Sequence, residues 1–124
     1  MNAGQQAFEF RDSVGALQYA DPMLRLPEFR IESSVTDAVN HVVVSGELDA
    51  ATDRALRDAL AAASTRDVAL DLSGVDFMGC STLTILLQAE AKQSALGQGI
   101  SICAASDPVR HLLGLTMLQR FLAP

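Results

Sequence analysis

The apolar residues of this chain change their spacing in a fixed order along its length, and that order restricts the fold to one class. Phe29, Ile31, Ser33 and Val35 alternate with Arg30, Glu32, Ser34 and Thr36, the period of two that marks a half-buried strand. Thr36 to Asn40 reads as a hairpin connection. His41 to Ser45 follows as a second strand, and its continuous run of β-branched residues predicts burial on both faces. The spacing then turns helical: Ala51, Ala55, Leu56, Ala59, Leu60 and Ala63 form a stripe, with Arg54, Arg57 and Asp58 outside it. Asp49 or Thr52 is placed to cap this helix, and Asp53 adds negative charge at the positive end of its dipole. Asp67 to Leu72 is a third strand, broken by Gly74. A second helix carries Leu83, Ile85, Leu86, Leu87, Ala89 and Ala91 and ends at Gly97. Ile100 to Ala104 is a fourth strand. Ser106-Asp107-Pro108 opens a third helix whose buried side is Leu112, Leu113, Leu115, Met117 and Leu118. Helical crossovers require parallel neighbours and a hairpin requires an antiparallel pair, so the expected class is α/β with a mixed sheet, opening with a β-hairpin and flanked by helices.

Composition narrows the function classes. The 124 residues are 49% apolar and 19% charged, which suits one globular domain. Residues 28–124 are expected to form it. Residues 1–27, interrupted by Gly15, Pro22 and Pro27, read as an N-terminal appendage, flexible or laid over the domain. A net charge of −6 supplies no overall positive field for phosphate backbones or anionic lipid. With no Trp and one Tyr, few rings are available to stack on bases. The uncharged stretches between Asp76 and Glu90 and between Lys92 and Asp107 fall short of the ~18 residues of a membrane span. The opening Met1-Asn2-Ala3-Gly4-Gln5-Gln6 lacks the basic and apolar regions of a secretory signal, so a cytoplasmic location is expected.

The catalytic inventory is thin. There is no dinucleotide-binding glycine fingerprint after a strand, no phosphate-loop lysine, no zinc-protease helix and no nucleophile elbow. Cys80 and Cys103 do not form a zinc-type cluster with His41 and His111, and neither histidine is placed to activate a thiol. Neither a cofactor nor a metal is expected. Gly97-Gln98-Gly99 follows a helix and precedes a strand, the wrong order for a phosphate cradle, and reads as a turn. The segment Gly79 to Thr82 is different, because it leads from the carboxyl end of a parallel strand into a helix N-terminus, where α/β folds assemble sites. There Cys80 is either a small buried hydrophobe or a functional thiol, and Ser81 either a helix cap or a regulatory contact. Cys103, at the end of the next strand, either packs or approaches Cys80 within disulfide reach.

Two motifs carry a family resemblance. Gly46-Glu47-Leu48-Asp49-Ala50-Ala51-Thr52 is followed, after a helix and a strand, by Leu70-Asp71-Leu72-Ser73-Gly74-Val75-Asp76-Phe77-Met78-Gly79-Cys80-Ser81-Thr82-Leu83 and then by the passage Cys103-Ala104-Ala105-Ser106. Over about residues 29 to 118 the chain resembles a STAS domain, specifically the bacterial anti-sigma factor antagonists, also called anti-anti-sigma factors. The resemblance implies a mixed sheet of four or five strands. It also implies a binding protein rather than an enzyme. Its partner would be an anti-sigma factor, commonly a serine kinase of the histidine-kinase-like ATPase fold, and binding would free a sigma factor for transcription. Phosphorylation by that kinase switches such antagonists off.

The usual loop of these antagonists reads Asp-Ser-Ser/Thr-Gly-Leu. Carried over residue by residue, the aspartate position is Gly79, the acceptor is Cys80, the second hydroxyl is Ser81, and the glycine is Thr82. A thiol is not the substrate of a serine kinase. A neutral Gly-Cys-Ser loop resembles the unphosphorylated, binding-competent state, because a phosphate would add about −1.5 to −2 of charge. The expectation is therefore a lost serine switch, with control through oxidation of Cys80 or its bond to Cys103. Ser81, one residue out of register, is the lesser candidate acceptor. Asp49, Thr52, Cys80, Ser81, Thr82 and Leu83 form the expected partner surface, with Leu83 and Leu86 as candidates for an exposed apolar patch, although core packing is the default for each. The expected oligomeric state is a monomer or weak dimer. Gln119 to Leu122 can form only a stub of a further element. Two other readings remain: a STAS scaffold or regulatory subunit of a transport system, and a ligand-sensing STAS module.

Overall fold

A computed structural model describes residues 29–123. The expected appendage, residues 1–27, lies outside the described residues. Strand β1 (Arg30–Thr36) and strand β2 (Val39–Leu48) pair antiparallel. They are joined by Asp37 and Ala38, both left-handed at φ 53° and 64°, the conformation of a two-residue hairpin turn whose twist matches its strands. Then follow helix α1 (Asp53–Ala62), strand β3 (Asp67–Met78), helix α2 (Cys80–Ala95), strand β4 (Ile100–Ala105), helix α3 (Asp107–Leu115) and a 3-10 turn at Gln119–Phe121. The sheet order is β1-β2-β3-β4, with β3 parallel to both neighbours, so the sheet is mixed. The expected stub is an isolated parallel bridge between Leu122 and Ile102, where the Ala123 amide donates to the Ile102 carbonyl at 2.9 Å. Among the described residues, no helix is long and apolar enough to cross a membrane.

The sheet has a dry face and a wet one. Val42, Leu70 and Ile102 pair in register across three strands and are all buried. Beside them Glu32, Val43 and Asp71 pair on the opposite face, where Val43 is 42% exposed. The double burial expected for the β2 run is therefore corrected: its branched residues satisfy strand propensity on both faces, but only one face is packed. On the dry side Asn40 Nδ2 donates to the Ala63 carbonyl at 2.7 Å, tying the end of α1 to the sheet.

Gly74 does not end β3. A Cβ there would stand 2.8 Å from Ser45 Cβ, so the glycine permits a close approach of two strands at a register shift, and β3 continues to Met78. Helix α2 ends as expected, with Gly97 at φ 74° and the Gln98 and Gly97 amides donating to the Gln93 and Ser94 carbonyls at 2.8 and 3.0 Å. Two other expectations need correction. Ala51 precedes α1 and is exposed. In α3 the buried residues are Val109 and Leu113, while Leu115 and Met117 are 69% and 82% exposed because the helix stops and the chain turns through Met117 at φ 59°. Phe121, from the 3-10 turn, fills the core in their place.

Candidate functional site

Strands β2 and β3 end side by side, with Leu48 paired to Met78. Each then turns into a helix, so the first turns of α1 and α2 are neighbours. The turn before α1 is closed by two residues. Asp49 Oδ1 accepts from the Ala51 and Thr52 amides at 2.9 and 3.2 Å, and its carbonyl accepts from the Asp53 amide at 2.9 Å. Thr52 Oγ1 donates to the Glu47 carbonyl at 2.9 Å and accepts from the Asp49 amide at 3.0 Å. Both side chains are thus committed to fixing the turn that leads into α1, whose first amide is held by the Asp49 carbonyl.

The turn before α2 is anchored by the Gly79 amide, which donates to the Leu48 carbonyl at 2.8 Å. Gly79 is the residue preceding the helix, in extended conformation, and contributes no side-chain cap. A carboxylate from α1 reaches this turn, bonding side chains and not the leading amides of α2. Asp53 is buried, and its two carboxylate oxygens accept the hydroxyls of Ser81 at 2.5 Å and Thr82 at 2.8 Å. A carboxylate facing the N-terminus of α2 is also placed favourably for that helix's dipole. The loop itself carries no charge, but a negative group supplied from another helix stands beside Ser81. Sequence reading assigned Asp53 only a dipole role. The signal was its spacing, because Asp53, Leu56, Leu60 and Ala63 recur at helical intervals on the buried stripe.

The expected site residues divide by exposure. Cys80 and Ser81 are exposed at the first turn of α2, which removes the buried-hydrophobe reading of Cys80, and Ser81 bonds Asp53 rather than capping the helix. Thr82 is fully buried, and Leu83 and Leu86 are 6% and 1% exposed, so these three form the floor of the site and not its surface. The exposed apolar group at this corner is Phe77, half exposed, whose ring lies beside Gly79. Cys103 is exposed on β4, where its thiol donates to the Leu70 carbonyl at 3.3 Å. Both thiols are free. Leu70 pairs with Val42 and Met78 with Leu48, positions roughly 20 Å apart along a strand, whereas a disulfide spans about 4.4 to 6.8 Å between α-carbons. Among the described residues, no group of three or more His, Cys, Asp or Glu side chains is placed to hold a metal.

Residues 31–123 match the family model described as "Mlab, STAS domain". Among solved structures, the chain is similar to an anti-sigma factor antagonist from Mycobacterium paratuberculosis, at 29% identity and a TM-score of 0.65 over 76% of this chain and 82% of that one. It is also similar to the unphosphorylated antagonist SpoIIAA, at 20% identity and 0.64 over 77% and 85%. SpoIIAA in its phosphorylated form, from Bacillus, matches at 19% identity and 0.59 over 77% and 88%. These last two likenesses concern the fold. No curated protein matches the chain.

Proposed function

This chain belongs to the STAS domain family, and we propose that it is an anti-sigma factor antagonist, which acts by binding an anti-sigma factor and releasing a sigma factor for transcription. The observation that carries this reading is the corner at which β2 and β3 deliver two helix N-termini. Its outer layer is Phe77, Cys80 and Ser81, and beneath them Asp53 and Thr82 form a hydrogen-bonded floor. A half-exposed aromatic beside small polar groups on a rigid base has the composition of a protein-docking surface. The 29% identity to a solved antagonist supports the same role. The partner is an anti-sigma factor of the histidine-kinase-like serine kinase type, met in the cytoplasm.

In this reading the serine switch is absent. Cys80 presents sulfur where the kinase needs a hydroxyl, and the Ser81 hydroxyl is held by Asp53. Control passes to the exposed Cys80 thiol, which a peroxide oxidises to a sulfenic acid while itself being reduced. Docking involves Phe77, Cys80 and Ser81 directly, and Asp49 and Thr52 through the turn they fix.

The test is affinity purification of the tagged full chain from its native cells under reducing conditions, with partners identified by mass spectrometry. Recovery of an anti-sigma factor is the expected result. Recovery of a transport ATPase, with no anti-sigma factor, would overturn the proposal in favour of a transport subunit.

A further inference from the structure

A cavity of about 350 Å³ lies between helices α1 and α2, lined by none of the docking residues. Its floor is apolar: Leu60 of α1, Val68 of β3 and Ile85 of α2 are buried and line it. Its walls include Ala61 and Ala89, which carry only methyl groups. Two cations stand at its edge, Arg57 on α1 and Lys92 on α2, and among the described residues no acidic one lines it. Neither cation enters an ion pair or hydrogen bond among the described residues, in a chain whose net charge is −6. Gln93 is the one buried polar side chain in the lining among the described residues, 2% exposed. Its Nε2 donates to the Arg66 and Gly99 carbonyls at 2.7 and 3.2 Å, which fixes the amide and leaves Oε1 buried with no donor.

We propose that this cavity binds a linear aliphatic carboxylate, with its chain on the Leu60, Val68 and Ile85 floor and its carboxylate at Arg57 and Lys92. The volume lies at the lower end of the roughly 300–1,000 Å³ of small-molecule sites, which suits one chain and not the face of a partner helix. The charge favours this head group over those of the other simple amphiphiles. A cationic head is repelled by both rim residues, and a neutral head leaves both unpaired. Gln93 Oε1 adds an acceptor for a hydroxyl, from the chain or from solvent.

The experiment is calorimetric titration of the full reduced chain with decanoate, decanol and decyltrimethylammonium. Decanoate is expected to saturate at one site and to bind at least about tenfold more tightly than decanol, with no binding of the cation. Arg57→Glu and Lys92→Glu should each weaken decanoate by about tenfold and leave decanol unchanged. Ala61→Phe, at an exposed helical position that tolerates the larger side chain, should abolish binding of both while leaving the urea midpoint unchanged. Absence of saturable binding, equal affinity for decanoate and decyltrimethylammonium, or undiminished binding to the Ala61→Phe variant would overturn the proposal. Because no docking residue lines the cavity, none of these outcomes depends on the anti-sigma factor reading.

Discussion

Asp53 and Ser81, 28 residues apart in sequence, join the first turns of α1 and α2 through a carboxylate–hydroxyl hydrogen bond of 2.5 Å. Thr82 adds a second bond to the same carboxylate at 2.8 Å. The docking corner therefore rests on one side chain whose removal leaves a buried hydroxyl with only a 3.4 Å contact to the Leu48 carbonyl.

Asp53→Ala should lower stability by about 1–3 kcal/mol, the cost of leaving buried hydrogen-bonding groups without a partner. Urea denaturation checks this. A change confined to the midpoint, with the slope retained, is expected. Thr82→Val in the Asp53→Ala background should recover part of the loss, because it removes the stranded hydroxyl.

Gly79 has room for an aspartate: its backbone is extended, and a Cβ there meets nothing closer than 3.6 Å. Gly79→Asp supplies the side-chain cap that α2 lacks, which over glycine contributes only a few tenths of a kcal/mol. In the natural chain this gain is opposed by the neighbouring Asp53 charge. The cap should therefore stabilise the Asp53→Ala variant more than the natural chain. A double-mutant cycle in urea measures the difference, and additivity would show that the two carboxylates do not share the site.

Gly74→Ala should cost about 1–3 kcal/mol, since its Cβ must displace Ser45 Cβ from 2.8 Å. Ser45→Gly in the same chain should restore most of the loss. Thermal unfolding of the two variants tests whether this close approach holds β2 and β3 together.

Peroxide should weaken partner binding through Cys80 alone. Cys103→Ser should remain sensitive and Cys80→Ser should become resistant, and mass spectrometry of the oxidised chain should show no bond between the two sulfurs. Sensitivity carried by Cys103 would contradict this.

The architecture was legible from periodicity because each element follows its own spacing: the alternation at Phe29 and Ile31, the Leu56–Leu60 stripe and the Gly97 helix end all correspond to local physical preferences. What escaped was decided by tertiary contact. Val43 looks like core by its side chain and faces water because of the side on which the sheet is packed. Gly74 looks like a terminator and is a point of strand contact, visible only when Ser45 lies beside it. At the site, the motif marks the Gly79 to Thr82 loop, but a loop without an acid of its own gives no sign of the carboxylate that arrives from Asp53 on another helix. Leu83, a candidate for an exposed patch with core packing as its default, is buried, while the exposed Phe77 carries no signal in a sequence whose third strand reads as broken at Gly74.

The most direct measurement of the docking claim is the affinity of the co-purified anti-sigma factor for the natural chain, for Phe77→Ala and for Cys80→Glu, by titration calorimetry under reducing conditions. Both substitutions lie at exposed positions, and a glutamate in the first turn of α2 favours the helix dipole, so both variants should fold. The account predicts that Phe77→Ala weakens binding by more than about 1 kcal/mol and that Cys80→Glu weakens it at least as much, with unfolding midpoints retained. Affinities equal to that of the natural chain in both variants would contradict it and move the docking surface elsewhere on the molecule.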